Sequence, residues 1–407
     1  MNILLGVTGS VAATLTPKLA LALKELGDVR IVITESAKPF LPPMPYKQIQ
    51  INDTFFPVYT EEEEWTWKDA YTYTDKKQLD LTDNWQLLDD IKFKEVTAYR
   101  ERKQYKKDDL VAHIELRKWA DVLVIAPLTA NTLAKMTYGL CDNLLTSIYR
   151  AWDWTKEVVV APAMNTMMWT NNPTFDQIHK LQGRGVKVVP PIKKELACGD
   201  TGEGAMAEIR NIVIKTEAAL HWEFPLHAFN GIPIGKHPGA FAFRRKNCHH
   251  CGVDLYTGEG VSVRAVESGR VVGIEKFTGP QDTTPWYENT EAVLIEGKTG
   301  VICYGEIHIR GHNPTGFASA MSKLNIGDWV KKGEVIGRVT PVIPEGREPK
   351  EKYPGWSRSM LHLELYKHGH YTASHRWILD TPMWDYLIDP TPHLLSAIPP
   401  AGTLEYE

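Results

Sequence analysis

The chain has 407 residues, of which 43% are apolar and 24% charged, so it is long enough to form two domains that each bury a core. A formal net charge of -4 gives no reason to expect nucleic acid or an anionic membrane as a partner. The five cysteines are few and odd in number, which argues against a disulfide framework and favours a reducing, cytoplasmic location. The apolar start lacks a basic leader, so no signal peptide or membrane span is expected.

In the first half, short β-branched runs alternate with amphipathic helices. Strands are predicted at residues 2–7, 29–34, 121–127, 157–163 and 186–191, and helices at 17–26, 131–138, 144–152 and 174–181. This alternation predicts an α/β domain with a doubly wound parallel sheet that helices cover on both faces. Such sheets bind ligands at the carboxyl ends of their strands.

A charged segment interrupts the pattern of the first half, and the second half has a different pattern. Residues 66–108 are crowded with charged residues, Tyr and Thr, which predicts a solvated insertion that is either functional or merely tolerated. Residues 223–240 contain several Pro and Gly and are predicted to be a linker. Short alternating strands at 261–277, 291–307, 327–339 and 360–366 then predict an all-β domain. We therefore expect domains at 1–222 and 241–407.

A glycine-hydroxyl turn, "GVTGSVAA", directly follows the first predicted strand. Such a turn presents backbone N–H groups and a helix N-terminus, which can bind a phosphate. A tight turn with no ligand would have the same sequence. Because the motif lacks three spaced glycines, it fits a mononucleotide better than a dinucleotide.

Three later blocks are more specific as a set. They begin with "HIELRKWADVLVIAPLTANTLAKM", continue with "APAMNTMMW" and end with "PPIKKELACGDTGEGAMAEI". In this order they resemble the phosphopantothenoylcysteine decarboxylases, members of a flavoprotein family (HFCD) that includes peptide-cysteine decarboxylases. The resemblance covers residues 1 to about 220, apart from the insertion. It implies a flavodoxin-like, Rossmann-like fold, FMN as cofactor, a small-molecule substrate of coenzyme A biosynthesis and a homotrimer.

The resemblance also implies roles for single residues. His113 would be the active-site base, Asn165 would bind the substrate acid, and Cys198 would donate a proton from a flap that closes over the substrate through Ala197 and Met206. The FMN contacts would be Gly9, Ser10, Val11, Thr34, Ser36, Thr129, Ala130, Asn131, Thr132 and Ala163. Taken singly, each residue has an ordinary structural explanation, such as packing or helix capping.

The chemistry accounts for these residue types. A flavin can take a hydride from the thiol-bearing carbon and so create the electron sink that decarboxylation needs. After carbon dioxide leaves, the reduced flavin returns the hydride while an acid protonates the carbon of the enethiolate. Glu195 stands where plant relatives carry a basic residue, and this difference bears on binding of the phosphorylated substrate.

A regulatory protein of the same fold, similar to the phosphatase inhibitors among fungal relatives, is an alternative to the decarboxylase. The presence of His113, Asn165 and Cys198 together argues against this alternative.

The β domain carries "CHHCGVDLYTGEG" and "MLHLELY". These resemble the lysostaphin/LytM-type zinc endopeptidases and the related leukocyte chemotaxin over about residues 247–366. The resemblance implies zinc ligands at His250, Asp254 and His362. Met360 and Glu306 stand where active peptidases carry histidines, which favours a degenerate structural or binding module, with an active metallopeptidase as the alternative.

Cys248 and Cys251 form a CxxC pair. The sequence has no second CxxC, which excludes a four-cysteine zinc site. A redox pair remains open.

Overall fold

The computed structural model describes residues 1–41, 48–51, 54–61, 111–196, 199–279, 289–311, 322–343, 357–373, 377–397 and 402–404. The predicted insertion at 66–108 lies outside the described residues, and so do Ala197 and Cys198. The chain divides into two compact units, Met1–Leu220 and His221–Glu407. Among the described helices, none combines the length and apolar character that crossing a membrane requires.

The first unit contains a 7-stranded sheet in the order β3-β4-β2-β1-β5-β6-β7. Its strands are β1 Asn2–Val7, β2 Asp28–Ile33, β3 Gln48–Ile51, β4 Thr54–Tyr59, β5 Val122–Leu128, β6 Glu157–Pro162 and β7 Lys187–Val188. All neighbours pair in parallel except β3 and β4, which pair antiparallel at one edge. The predicted parallel-sheet, flavodoxin-like fold of the first half is confirmed.

Helices cover both faces of this sheet. They are α1 Thr16–Lys24, α2 Ala112–Trp119, α3 Ala130–Tyr138, α4 Leu144–Arg150, α5 Thr166–Trp169, α6 Asn172–Gly183 and α7 Ile209–Leu220. Successive residues of a strand point to opposite faces, so Leu5 lies in the core with Leu19 of α1, whereas Leu4 lies in the core with Leu133 of α3. Burial of each such leucine contributes about 1.5–3 kcal/mol. A hairpin, β8 Ile192–Glu195 and β9 Thr201–Ala205, precedes α7.

The second unit is built on a 9-stranded antiparallel sheet. The elements of this unit are β10 Ile232–Pro233, β11 Cys248–His249, β12 Val253–Thr257, β13 Ser262–Arg264, β14 Gly269–Lys276, β15 Glu291–Glu296, β16 Val301–Ile309, β17 Trp329–Val330, β18 Val335–Val339, β19 Ser359–Tyr366, β20 Trp377–Ile378, β21 Leu387–Ile388, α8 Thr391–Leu395 and β22 Thr403–Leu404. The main path runs β12-β19-β16-β15-β14-β17, so β19 lies between β12 and β16. This register determines which side chains of the three strands meet.

The segment expected to be a linker packs into this second unit. Phe224, Leu226 and Ile232 are buried in the same core as Val293 and Leu361. Proline and glycine predict irregular backbone, but irregular backbone can still cover a sheet when its apolar side chains point inward. The structure thus makes residues 223–240 part of the second unit's core rather than a free connection.

Candidate functional site

The turn after β1 is held closed by short contacts. Ser10 caps the short 3-10 helix Val11–Leu15, because its Oγ accepts a hydrogen bond from the N–H of Ala12 at 3.3 Å. A Cβ on Gly9 would lie 2.4 Å from the carbonyl oxygen of Ser36. Only glycine lets this turn approach the turn after β2 so closely.

Hydroxyl groups tie the neighbouring turns together. Thr34 follows β2 directly; its Oγ1 lies 3.1 Å from the Oγ of Ser36 and donates to the carbonyl of Val7 at 3.3 Å. The Oγ1 of Thr8 accepts a hydrogen bond from the N–H of Thr129, the first residue after β5, at 3.0 Å. The turns after three adjacent strands therefore form one connected structure.

The fourth strand completes this edge of the sheet. Thr129 caps α3 by accepting from the N–H of Thr132 at 3.4 Å, and Ala163, just after β6, donates its N–H to the carbonyl of Leu128 at 2.9 Å. Because β2, β1, β5 and β6 are adjacent and parallel, the residues after their carboxyl ends lie along one edge. That edge carries every predicted FMN contact, namely Gly9, Ser10, Val11, Thr34, Ser36, Thr129, Ala130, Asn131, Thr132 and Ala163. Hydroxyls and helix N-terminal N–H groups suit an anionic cofactor.

Asn165 is held by two hydrogen bonds of its side chain. It caps α5, with its Oδ1 accepting from the N–H of Met167 at 2.8 Å, and its Nδ2 donates to Oδ2 of Asp200 at 3.0 Å. Asp200 belongs to the turn between β8 and β9, and the backbone of β9 reaches the same place, because the N–H of Met164 donates to the carbonyl of Gly204 at 2.9 Å. The structure thus brings the predicted flap hairpin against the predicted substrate-binding residue.

The other predicted decarboxylase residues are distributed over this unit. His113 is the second residue of α2 and is half-buried. Met206 follows β9 and is buried in the core with Ala163. Ala197 and Cys198 lie outside the described residues; in the chain they fall between Leu196 and Gly199, whose backbones are joined by a 2.8 Å hydrogen bond. Glu195 is exposed at the end of β8.

In the second unit, the structure brings the three predicted metal ligands together. Oδ1 of Asp254 lies 2.7 Å from Nδ1 of His362 and 3.1 Å from Nε2 of His250, and the two ring nitrogens are 3.2 Å apart. All three residues are buried, and within the described part of the chain they form the one group of acidic, His and Cys side chains that converges in this way. Metal–ligand bonds of about 2.0–2.2 Å would separate neighbouring donor atoms by roughly 2.9–3.4 Å. The distances of 3.1 and 3.2 Å fall in this range, whereas the 2.7 Å between Asp254 and His362 is that of a hydrogen bond and would have to lengthen slightly around a small divalent ion.

Each of these three residues has a second partner on its outer side. Nδ1 of His250 lies 2.9 Å from the carbonyl of Ala240, and Nη2 of Arg245 donates to Oδ2 of Asp254 at 2.7 Å. Nε2 of His362 lies 3.1 Å from Oε1 of Glu364. Such partners fix the orientation of ligand side chains.

Burial and charge set the protonation of this cluster. Burial lowers the pKa of His250 to about 4, so the ring is neutral at neutral pH. Because Nδ1 faces the carbonyl of Ala240 and so carries the proton, the lone pair is on Nε2. Burial favours the neutral form of Asp254, but His250 and Arg245 hold the pKa of its carboxyl well below the usual value. Burial also opposes charging of His362, but Asp254 and Glu364 raise its pKa to about 10. The neutral imidazole of His250 and the ionised carboxylate of Asp254 are forms that metals bind, whereas His362 must release a proton when a metal binds.

Three residues that contact the predicted site residues were not predicted from the sequence: one in the first unit and two in the second. Asp200, Arg245 and Glu364 were assigned no role, although Asp200 stands in the "ACGD" block and Glu364 in "MLHLELY". The alternation of β19 was an available signal, since residues at positions i and i+2 of a strand share a face. Arg245 gave no such signal, because its contact depends on the path of an irregular segment.

Comparison with known proteins identifies relatives of the first unit. A family model described as Flavoprotein matches residues 1–221. The chain is 42% identical over 230 residues to a phosphopantothenoylcysteine decarboxylase of Arabidopsis thaliana, a match that covers 56% of this chain and 89% of the relative. A protein of the same name from Mus musculus is 38% identical over 222 residues, with coverages of 54% and 87%. A solved structure, a PPC decarboxylase mutant complexed with pantothenoylaminoethenethiol, is 41% identical with a TM-score of 0.40, covering 53% of this chain and 95% of that chain.

Proposed function

The chain belongs to the flavoprotein family, and from this membership we propose that its first unit is an FMN-dependent phosphopantothenoylcysteine decarboxylase of coenzyme A biosynthesis. The reaction converts 4′-phosphopantothenoylcysteine to 4′-phosphopantetheine with loss of carbon dioxide. The observation that carries the proposal is the match of residues 1–221 to the family, together with 42% identity to a decarboxylase that the chain covers over 89% of its length.

The edge of strand ends suits FMN as the cofactor. Gly9 leaves space where a side chain would block the turn, and the hydroxyls of Ser10, Thr34 and Thr129 surround that turn. These groups, with the N-terminus of α3, would hold the phosphate and the polar edge of the ring. Bound FMN would supply the redox chemistry, taking a hydride from the thiol-bearing carbon and giving it back after carbon dioxide has left, so that the overall reaction is redox-neutral.

The protein side chains would then position the substrate and transfer its protons. Asn165 would hold the substrate carboxylate through its amide, whose rotamer the N–H of Met167 fixes. His113 would act as the general base and accept a proton from the substrate. Cys198 would return a proton to carbon after carbon dioxide leaves, as the flap closes.

Two measurements test this proposal. The purified chain should show a flavin absorbance spectrum and should release carbon dioxide from 4′-phosphopantothenoylcysteine. A matched Asn165→Ala variant should keep the flavin spectrum, because Asn165 is not among the FMN contacts, and should lose substrate turnover. A colourless protein that is inactive on this substrate would contradict the proposal.

We also propose a cytoplasmic homotrimer, as the family resemblance implies. Several large apolar side chains of the first unit are exposed in the single chain, including Val11 at 51%, Met167 at 74% and Phe175 at 64%. Association of subunits would remove such side chains from water. Sedimentation equilibrium should give three times the 46.0 kDa chain mass, and a monomer at micromolar concentration would refute the trimer.

For the second unit we propose a zinc-binding module of the lysostaphin/LytM and chemotaxin type, without efficient peptidase activity. His250, Asp254 and His362 would hold the ion, and the convergence of their donor atoms within 3.2 Å supports this set. Met360 and Glu306 replace the histidines that assist hydrolysis in active peptidases. Zinc would supply Lewis-acid chemistry if a substrate could reach it.

Metal content separates the possibilities for this unit. The chelator-treated chain should take up one zinc ion per chain, and His250→Ala should abolish uptake without affecting the flavin spectrum. Rapid metal-dependent cleavage of glycine-rich peptides by the loaded protein would instead show that it is an active peptidase.

A further inference from the structure

Glu364 is a fully buried carboxyl group for which the functions above give no reason. It lies on β19, two residues after His362 and two before Tyr366, so the three side chains share one face of that strand. Burying a carboxylate costs several kcal/mol unless charged or hydrogen-bonding partners offset the loss of water. The partners of Glu364 therefore indicate why a carboxylate is present there.

Three side chains surround this carboxylate. Its Oε1 lies 3.1 Å from Nε2 of His362, and the hydroxyl of Tyr366 donates to its Oε2. Cys303, on the neighbouring strand β16, stands directly opposite Glu364 in the register of the two strands. Tyr366 thus holds one oxygen of the carboxylate while the other oxygen contacts the ring of His362.

The position of Nε2 determines what the other ring nitrogen does. The two nitrogens of an imidazole point away from each other in the ring plane, so the group that one nitrogen faces fixes the direction in which the other nitrogen points. With Nε2 facing Glu364, Nδ1 faces Oδ1 of Asp254 at 2.7 Å and Nε2 of His250 at 3.2 Å. A ring flipped by a half turn would lose both arrangements.

We infer that Glu364 is the positioning residue of the metal centre in the second unit, and that it makes Nδ1 the ligand atom which His362 offers to a zinc-like divalent ion. This inference rests on the metal site proposed above. It completes a pattern in which the backbone of Ala240 orients His250, Arg245 orients Asp254, and Glu364 orients His362. Loss of an outer partner of this kind typically lowers metal affinity by about 10- to 100-fold.

The test uses the full chain, freed of metal by a chelator and titrated with Co²⁺ and Zn²⁺ at one fixed pH. Glu364→Leu removes both charge and acceptor, so we expect the Zn²⁺ affinity to fall by about 10- to 100-fold and the visible Co²⁺ bands to shift as the ligand geometry changes. Glu364→Gln keeps an acceptor of the same size and should lose less affinity. The spectral shift distinguishes a positioning role from a general loss of stability.

Glu296→Gln is the matched control. Glu296 also contacts a histidine, since its Oε1 lies 3.3 Å from Nδ1 of His368, but both side chains are away from the metal ligands and partly or largely exposed. The Zn²⁺ affinity and the Co²⁺ spectrum of the Glu296→Gln variant should equal those of the natural chain. A Glu364→Leu variant with natural affinity and natural Co²⁺ bands would overturn the inference.

The outcomes separate this inference from the proposal beneath it. If the natural chain binds neither ion, the metal site itself is wrong and the inference falls with it. If the natural chain binds the ions and the His250→Ala variant does not, the proposed metal site is supported. The Glu364 variants alone then decide whether Glu364 positions His362. Should Glu364→Leu fail to fold, Glu364→Gln and Tyr366→Phe decide, because natural affinity and spectrum in both would contradict a positioning role.

Discussion

Replacing Gly9 by alanine should weaken FMN binding, because the structure has no space for the added methyl group. Its Cβ would lie 2.4 Å from the carbonyl oxygen and 2.6 Å from the Cβ of Ser36. The nearest atom is backbone, so the turn after β1 and the turn after β2 must move apart. Forcing an extra carbon into a packed site costs about 1–3 kcal/mol.

The assay determines where that cost appears. If it falls on the FMN-bound arrangement, the dissociation constant should rise about 5- to 150-fold. If it falls on the fold, the melting temperature of the first unit should drop by roughly 2–12 °C. Quenching of flavin fluorescence measures the first quantity, and thermal unfolding with and without FMN measures the second.

Gly183 provides the control within the same unit. It ends α6, and a Cβ there would meet nothing within 4 Å. Gly183→Ala should therefore bind FMN normally and melt at or slightly above the natural temperature, because alanine loses less backbone freedom than glycine. If Gly9→Ala matches Gly183→Ala in both measurements, the reasoning about the close turns is refuted.

Three further changes test other contacts. Cys198→Ser should let the enethiol intermediate accumulate and block product formation, which mass spectrometry would detect; unchanged turnover would remove its assigned role. Asp200→Asn should lower kcat/KM by about 2- to 10-fold, because its exposed hydrogen bond to Asn165 contributes on the order of 1 kcal/mol, whereas Glu203→Gln on the same hairpin should leave turnover as it is. Burial raises the pKa of Glu267 above 4.5, so the unfolded chain releases this proton first and the free energy of unfolding should decrease as pH rises above about 4.5. Urea unfolding of Glu267→Gln across pH 4 to 9 should show a flatter dependence than the natural chain, and an identical slope would exclude this group.

The parallel sheet could be predicted because its signals are local. The run at 2–7 coincides with β1 Asn2–Val7, and the run at 157–163 matches β6 Glu157–Pro162 to within one residue. The edge strand β3 and its neighbour β4 were not predicted. Pro57 interrupts the apolar run of β4, and a proline within a run argues against a strand unless the strand lies near an edge.

The two candidate sites also contain some residues that local sequence patterns place and others that they do not. Residues that follow a strand, such as Thr34 and Thr129, reach one edge because parallel strands end together, so chain order was enough to place them. His250 and His362 are 112 residues apart, and their proximity came from the family resemblance, which names ligand types in sequence order. The alternation of β19 places Glu364 on the same face as His362, whereas the contact of Arg245 depends on the path of the irregular segment before β12, which no local pattern encodes.

The two sites also differ in how their geometry is maintained, and this decides how their variants should behave. Around Asn165 the contacts are exposed single hydrogen bonds from a hairpin, each on the order of 1 kcal/mol, so ligand binding can reorganise them and substitutions should change individual reaction steps. Around His362 the contacts are buried and charged, and removing one partner leaves another charge without compensation in a dry environment. Substitutions there should therefore change metal affinity and the stability of the second unit together, whereas those in the hairpin should leave the stability of the first unit almost unchanged.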